Sequence, residues 1–400
     1  MQAKGITETD SKAPGKILFV GGYSVLERPN PGYVITADCF VHAKIRPRDD
    51  NQIEINAPQL ESYAKGKVDV DMGKVDINVP EPLKLVATAI RLVVMYAKAT
   101  GREISGFTIT TQSDPEFAYR ISNSNCGTVL TKSGLGSSAA VTVATVGGVL
   151  TALGINVNEN DCLHKLSQLA HAIATEKVGS GFDIAAATYG DIIYSRYSPE
   201  LIKTFPKDYS KEDVLEAVRK QWDYSIEPLK FPHSLELMFA NFVGEAAVTV
   251  SLVKEINKFK EKDPETYSTL MKKINSANVS AIAALRKISA GNYAEPDLNA
   301  LRTALVEGRI LTKELGIKSG ICIEPDDITD LIKESEKRGA FVAKLPGAGG
   351  KDAIMAICTN GTDKARLHKF WSAQPTLSVL KIRPNNSGFS SVSKPARVRV

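Results

Sequence analysis

The stretch Lys132-Ser133-Gly134-Leu135-Gly136-Ser137-Ser138-Ala139-Ala140 constrains the fold more than any other, because it sets a glycine-rich turn directly before an apolar run over residues 141–153. Glycines let the backbone approach an anion closely. The helix that such a run predicts offers free N–H groups and about half a positive charge at its first turn. The segment therefore predicts a phosphate cradle, with the Ser137 and Ser138 hydroxyls as further donors or metal ligands. Taken alone it reads equally well as a serine-capped helix after a plain turn, so its neighbours in the chain decide.

Upstream, Ala13-Pro14-Gly15-Lys16 predicts a turn that feeds a buried strand over 17–20 and ends in the pair Gly21-Gly22. Lys16 opens that strand, where its ammonium can reach a neighbouring cleft. Residues 33–46 read as one or two strands, and 46–76 as hairpins at a sheet edge. Over 81–100, Leu83, Val86, Ile90, Val93 and Ala97 share one helical face, and Gly101 ends the helix. Residues 107–111 alternate like a strand, and 111–131 predict a long polar loop that closes over a nucleotide. Helices over 137–153 and 159–177 lead to Gly179-Ser180-Gly181-Phe182-Asp183, where small neighbours leave room for a substrate beside an aspartate. A helix cap is the plain alternative for Asp183. A strand over 191–197 then ends in Arg196-Tyr197.

Around 209–232 the composition turns charged and aromatic, which predicts an inter-domain connection and divides residues 1–225 from 226–383. The second part predicts a strand at 235–242, helices at 246–259, 264–274, 277–289, 296–315 and 325–338, and strands at 340–344, 352–358 and 377–382. With a helix at 362–373 these make a four-stranded α+β sheet. A further glycine-rich turn, Leu345-Pro346-Gly347-Ala348-Gly349-Gly350-Lys351-Asp352, lies between two of those strands. The net charge of +5 is carried entirely by Lys381, Arg383, Lys394, Arg397 and Arg399 at the C-terminus. Residues 384–400 thus predict a solvated basic tail, and no nucleic-acid partner follows from the charge. Cys39, Cys126, Cys162, Cys322 and Cys358 lack the spacing of a zinc site or a disulfide framework. No apolar run reaches the length of a membrane span and the first ten residues are polar, so a cytoplasmic protein is expected.

Three glycine-containing segments in this order resemble the GHMP kinases, whose motifs are an early PGK, a GLGSSAA loop and a late GxGG turn entering a strand. Here those are Pro14-Gly15-Lys16, residues 134–140 and Gly347-Ala348-Gly349-Gly350. Within that superfamily, the forms APGKILFVGGYSVL, KSGLGSSAA and GSGFDIAAATYG are similar to the phosphomevalonate kinase family of the eukaryotic type. The resemblance implies an α+β fold of two lobes, an N-terminal ribosomal-protein-S5-like α/β lobe and a C-terminal ferredoxin-like α+β lobe. It implies ATP and Mg2+ as cofactors, 5-phosphomevalonate as acceptor, and a monomer or homodimer that binds neither nucleic acid nor membrane.

Carried over residue by residue, it places Lys16 and Asp183 at the catalytic centre, and Lys132, Gly134, Leu135, Gly136, Ser137, Ser138 and Ala139 on the ATP phosphates. Gly21, Tyr23, Ser180, Gly181, Arg196, Thr249, Gly347, Ala348 and Gly349 fall to the substrate. Ser137, Ser138 and Glu176 fall to the metal, although Glu176 stands only seven residues before Asp183 and reads as well as an exposed helix-end acid. Thr249 follows Ala247 and Val248, which depart from a family pattern rich in Ser and Thr. A mevalonate kinase, another small-molecule kinase of the superfamily, and a non-catalytic sensor on the same fold remain as alternatives. A dinucleotide-binding dehydrogenase does not, since helix follows helix after residue 141 where a βαβ unit would return to a strand. A Walker loop is also absent: Leu345 replaces its leading glycine and Asp352 its Ser/Thr.

Overall fold

The computed structural model describes residues 6–123, 127–157, 161–243, 249–291 and 293–394. Alternation of apolar and polar residues makes Glu8–Val20 (β1) and Gly32–Pro47 (β2) two long antiparallel partners, with Ile17, Phe19, Ile35 and Ile45 buried. Pro14 lies inside β1 rather than in the expected turn. It sits at a register shift between Pro14 and Gly15, where a missing N–H disturbs the ladder least. Gln52–Ala57 (β3), Ser62–Asp69 (β4) and Lys74–Asp76 (β5) form the edge, as expected. Lys84–Ala99 (α1) and Phe107–Ser113 (β6) follow, and β6 pairs with both β2 and β3.

Residues 111–131 are not the loop that their polarity predicted. Ala118–Asn123 (β7) and Gly127–Lys132 (β8) pair as an antiparallel hairpin that delivers the chain to the glycine turn. The stretch includes the β-branched residues Ile121, Thr128, Val129 and Thr131, which suits a two-stranded ribbon.

Ser137–Ala152 (α2) is apolar on every side and runs through the middle of the lobe, against β1, β2, α1 and Asp161–Thr175 (α3). Two of its glycines are sites of close approach. A Cβ at Gly147 would fall 2.4 Å from the Phe389 ring, and one at Gly148 2.4 Å from Ser11 Oγ. Phe182–Tyr189 (α4), Ile192–Ser195 (β9), Glu200–Lys203 (α5), Lys211–Arg219 (α6) and Ser225–Pro228 (β10) complete the stretch. The region read as an inter-domain connection therefore belongs to this lobe. A Ser210–Asp213 capping box starts α6, which packs on α1, and β10 extends the sheet beside β9. Its charged and aromatic residues are those of an amphipathic helix and an edge strand.

The second sheet begins with Glu236–Phe242 (β11). Thr249–Lys262 (α7), Pro264–Ser289 (α8), Glu295–Ser319 (α9) and Asp326–Lys337 (α10) intervene before Val342–Lys344 (β12) and Ala353–Cys358 (β13). Gly361–Ser372 (α11) and Leu377–Val379 (β14) close it. The four strands are antiparallel in the order β12-β13-β11-β14, the α+β sheet that the sequence predicted. The two helices expected over 264–289 are one, because Asn275-Ser276 between them contains no breaker. Tyr23 from the first lobe inserts among Ile256, Phe259, Tyr267, Leu270 and Met271, so the lobes share a core.

The C-terminal stretch is no solvated tail over residues 384–394. Pro384 bridges Ala37, Phe389 packs against the main core, and Ser390–Lys394 (β15) pairs antiparallel with residues 8–12 of β1. Lys394 is balanced there by Glu8 and Asp10, each at 3.3 Å. The rest of the expected tail, 395–400, lies outside the described residues. Truncation after Arg383 should cost about 2 kcal/mol from Phe389 burial alone. It should lower the thermal midpoint by several degrees, as differential scanning calorimetry will show.

Candidate active site

Residues 133–136 turn the chain from β8 into α2, with Gly134 (φ 71°) and Gly136 (φ 81°) in the left-handed region that a side chain would strain. Lys16 N donates to Leu135 O at 2.8 Å and fastens β1 to this turn. The Lys16 ammonium donates to Gly134 O at 3.0 Å, and its stem lies over Gly136, where a Cβ would fall 2.8 Å from Lys16 Cε. No side chain caps α2, which leaves its first N–H groups open next to the lysine.

The turn separates two cavities. The first, about 840 Å3, is walled by Lys16, Tyr23, Gly134, Ser180, Asp183, Arg196, Gly347, Ala348 and Asp352. The second, about 690 Å3, is walled by Ser137, Ser138, Lys84, Glu176, Thr111 and Leu83.

Charge in the first cavity is finely balanced. Burial pushes the Lys16 ammonium below the usual lysine range, and Asp183 and Asp352 oppose that shift. Burial raises Asp352 in turn, with Lys16 drawing it back. Its Oδ2 lies 3.0 Å from where a Gly134 Cβ would stand, so a carboxylate faces the glycine turn directly. Asp183 sits in the first turn of α4, and Gly181 occupies the cap position that was the alternative reading of the aspartate. Its Oδ1 accepts from Ile184 N at 2.9 Å.

Arg196 is 8% exposed and donates from Nη1 to Leu26 O at 3.1 Å and from Nη2 to Gly179 O at 2.9 Å. Its Nε is buried with no partner among the described residues. Lys177 and Lys260 add cations to the same wall; Glu27 holds Lys260 at 2.6 Å and accepts from Tyr267 Oη at 2.8 Å.

The later glycine turn is fastened to both lobes. Tyr23 Oη donates to Ala348 O at 2.7 Å, and Gly350 N to Ile323 O at 2.7 Å. Asn241 on β11, fully buried, donates through Nδ2 to Ser133 O at 3.0 Å and to Asp352 O at 3.2 Å, tying the two glycine turns together.

Of the residues the sequence pointed to, Lys16, Tyr23, Gly134, Ser180, Asp183, Arg196, Gly347 and Ala348 come together in the first cavity, and Ser137, Ser138 and Glu176 in the second. Others are not brought to either wall. Leu135 and Ala139 bury their side chains in the core at 1% exposure, Gly21 packs against Gly32, and Gly349 against Ile323. Gly136 and Gly181 contribute their left-handed backbone rather than a surface. Lys132 ends β8 and Thr249 opens α7, but both side chains lie outside the described residues, as does the whole of 244–248. Glu176 is well exposed and paired with Lys84 Nζ at 2.8 Å. Among the described residues no three of His, Cys, Asp or Glu gather in one cluster, a pattern that Mg2+, held by one or two carboxylates with phosphates and water, does not need.

Sequence reasoning missed four participants. Asp352 stands directly after the GGK of the later turn, and that adjacency was its signal. Asn241 announced itself as a lone amide in the apolar run Leu-Met-Phe-Ala-Asn-Phe. Glu27 and Lys260 gave no sign, since only the packing of α7 on the first lobe brings them together.

Residues 85–191 match the GHMP kinases N terminal domain and residues 292–376 the GHMP kinases C terminal domain. The chain belongs to the GHMP kinase superfamily, a class of small-molecule kinases with a mixed α+β fold of two lobes. It is similar to the phosphomevalonate kinase of Candida albicans, 28% identical over 86% of this chain and 88% of that protein. The mevalonate kinase of Thermococcus gammatolerans is 25% identical over 87% of this chain and 88% of its own length. The solved structure of Streptococcus pneumoniae phosphomevalonate kinase, in complex with phosphomevalonate and AMPPNP, matches at TM-score 0.71 and 18% identity. That match covers 94% of this chain and 99% of the other.

Asn241→Ala should unfasten the two glycine turns. It leaves Ser133 O and Asp352 O short of a donor, and a loss of about 1–3 kcal/mol in chemical denaturation is expected.

Proposed function

We propose that the protein transfers the γ-phosphoryl group of ATP to 5-phosphomevalonate, giving 5-diphosphomevalonate and ADP. The observation that carries this reading is the excess of cations around one cavity, Lys16, Lys177, Arg196 and Lys260 against Glu27, Asp183 and Asp352, next to the open end of α2. An acceptor that already bears a phosphate brings roughly −1.5 to −2 charges at neutral pH, and bringing it beside ATP requires such neutralisation. Similarity to phosphomevalonate kinases supports the same acceptor. Mevalonate as acceptor is the second reading, favoured by the similarity to mevalonate kinases.

In this mechanism the ATP phosphates lie on the glycine turn and the first N–H groups of α2, with the rest of the nucleotide toward the second cavity. Phosphoryl transfer asks chiefly for positioning and charge neutralisation. Ser137, Ser138 and Glu176 offer hard oxygen donors on one wall and would hold Mg2+, which neutralises phosphate charge when bound. Lys16, lying across the turn, bridges the transferring group and the acceptor oxygen. A phosphate acceptor, with its second pKa about 6, already presents an unprotonated oxygen at neutral pH, so no general base is required. Asp183 then orients Lys16 and the acceptor.

The direct test supplies the purified protein with ATP, Mg2+ and either mevalonate, phosphomevalonate or diphosphomevalonate. ADP release with phosphomevalonate alone supports the reading, and turnover of mevalonate alone sinks it.

The division of roles has its own outcome. Lys16→Met should abolish turnover, while Asp183→Asn keeps substantial activity that grows relative to the unmodified enzyme as pH rises from about 6 to about 8. Values of kcat for both variants across that range decide it; equal loss at the upper end would return proton transfer to Asp183. Arg196→Ala should raise the KM for phosphomevalonate well above any change in the KM for ATP, as steady-state kinetics with each substrate varied will show.

A further inference from the structure

The turn over 179–181, which leads into α4 and Asp183, has each of its three carbonyls held by a buried side chain. Gly179 O accepts from Arg196 Nη2 at 2.9 Å, Ser180 O from Tyr194 Oη at 3.2 Å, and Gly181 O from Gln168 Nε2 at 2.8 Å. A connection with no further task runs over the surface and leaves such groups to water. Gly181 has φ 81°, and a Cβ there would fall 2.8 Å from both Gln168 Nε2 and Tyr194 Oη, so the turn is fixed by shape as well as by hydrogen bonds.

Gln168 is the member of this set with no other evident task. It lies on α3 at 3% exposure, on a helix that also buries His164, Lys165 and Ser167 within the core. The orientation of its amide is determined by its partners. A carbonyl only accepts, so the NH2 group must face Gly181 O. The same Nε2 lies 2.9 Å from His164 Nε2, which must then be the unprotonated ring nitrogen, and Tyr197 Oη donates to Oε1 at 3.2 Å. His164 is wedged edge-on between Tyr189 and Tyr224, at 5.4 and 4.6 Å, and burial pushes its pKa down to about 3, so it stays neutral and keeps accepting. Its proton therefore resides on Nδ1, which is buried with no partner among the described residues. An unsatisfied buried donor of this kind costs stability, and it accompanies the tautomer that holds the amide one way round.

We propose that Gln168 is a positioning residue, whose side-chain amide, held by His164 and Tyr197, fixes the turn that aims Asp183 into the first cavity. The inference rests on the role proposed for Asp183, and a double-variant cycle separates the two.

Gln168→Glu keeps the shape but brings at most one O–H in place of the amide's two N–H donors, so Gly181 O and His164 Nε2 can no longer both be served. With circular dichroism confirming a folded protein, kcat at neutral pH should fall roughly three- to tenfold, the range that one lost hydrogen bond spans. The KM for ATP should not move. The double variant Asp183→Asn/Gln168→Glu should be no slower than Asp183→Asn alone, because the group being aimed is already gone. Losses that multiply in the double variant, or a KM for ATP that rises along with the fall in kcat, overturn the positioning role and leave that of Asp183 standing. Full kcat in Asp183→Asn overturns the role of Asp183 and this one with it. Should Gln168→Glu fail to fold, Gln168→Met, which keeps the volume and drops all three bonds, carries the same cycle under the same criteria.

Discussion

One main-chain hydrogen bond, from Lys16 N to Leu135 O, holds the site in register. It joins an N-terminal strand to a turn more than a hundred residues later, and so sets the distance between an ammonium group and the open end of a buried helix. Neither partner is free to drift. β1 is paired with β2 along most of its length, and α2 is surrounded by apolar neighbours on every side. The left-handed glycines of the turn and the lysine stem above them occupy the same space, so the cradle and its cation form one rigid unit.

The second lobe completes that unit. Lys344 on β12 donates to Phe19 O at 2.8 Å, and burial pushes its ammonium down to about 8. Tyr23 reaches the later glycine turn, and Asn241 spans both turns. Each of these is a polar group taken out of water and matched with a carbonyl, a contact that costs stability whenever the match is lost. The lobes are therefore held by directional bonds around the cavity as well as by the shared apolar core, which favours one fixed closure over a sliding interface.

The electrostatics of the cavity follow from this packing. Asp183 and Asp352 approach Lys16 from elements far apart in the chain, and both oppose the downward pull of burial on its ammonium. In its charged form, an ammonium removed from water in this way interacts more strongly with an anion than a solvated one does.

Much of the architecture and the core of the site were legible from residues 132–140, from Pro14-Gly15-Lys16 and from the late glycine turn, because each encodes a local backbone requirement that few other residues satisfy. Helical periodicity in 81–100 and the short apolar run in 235–242 announced their elements in the same local way. What failed was local composition read as topology. The hairpin at 118–132 looked like a loop, β10 looked like a linker, and β15 looked like a tail, since ribbon and edge strands carry polar and charged residues whose partners are set by distant chain. The sequence by itself determined that a glycine-rich turn before an apolar helix, a strand lysine and an aspartate among small residues exist. Only the tertiary structure decided that Asp352 faces the glycine turn, that Glu176 turns toward Lys84, that Arg196 is buried in the cavity wall, and that Gln168 holds the carbonyl of Gly181 two residues before the aspartate. Those are contacts across long loops, where distance and burial, not neighbouring residues, set the chemistry.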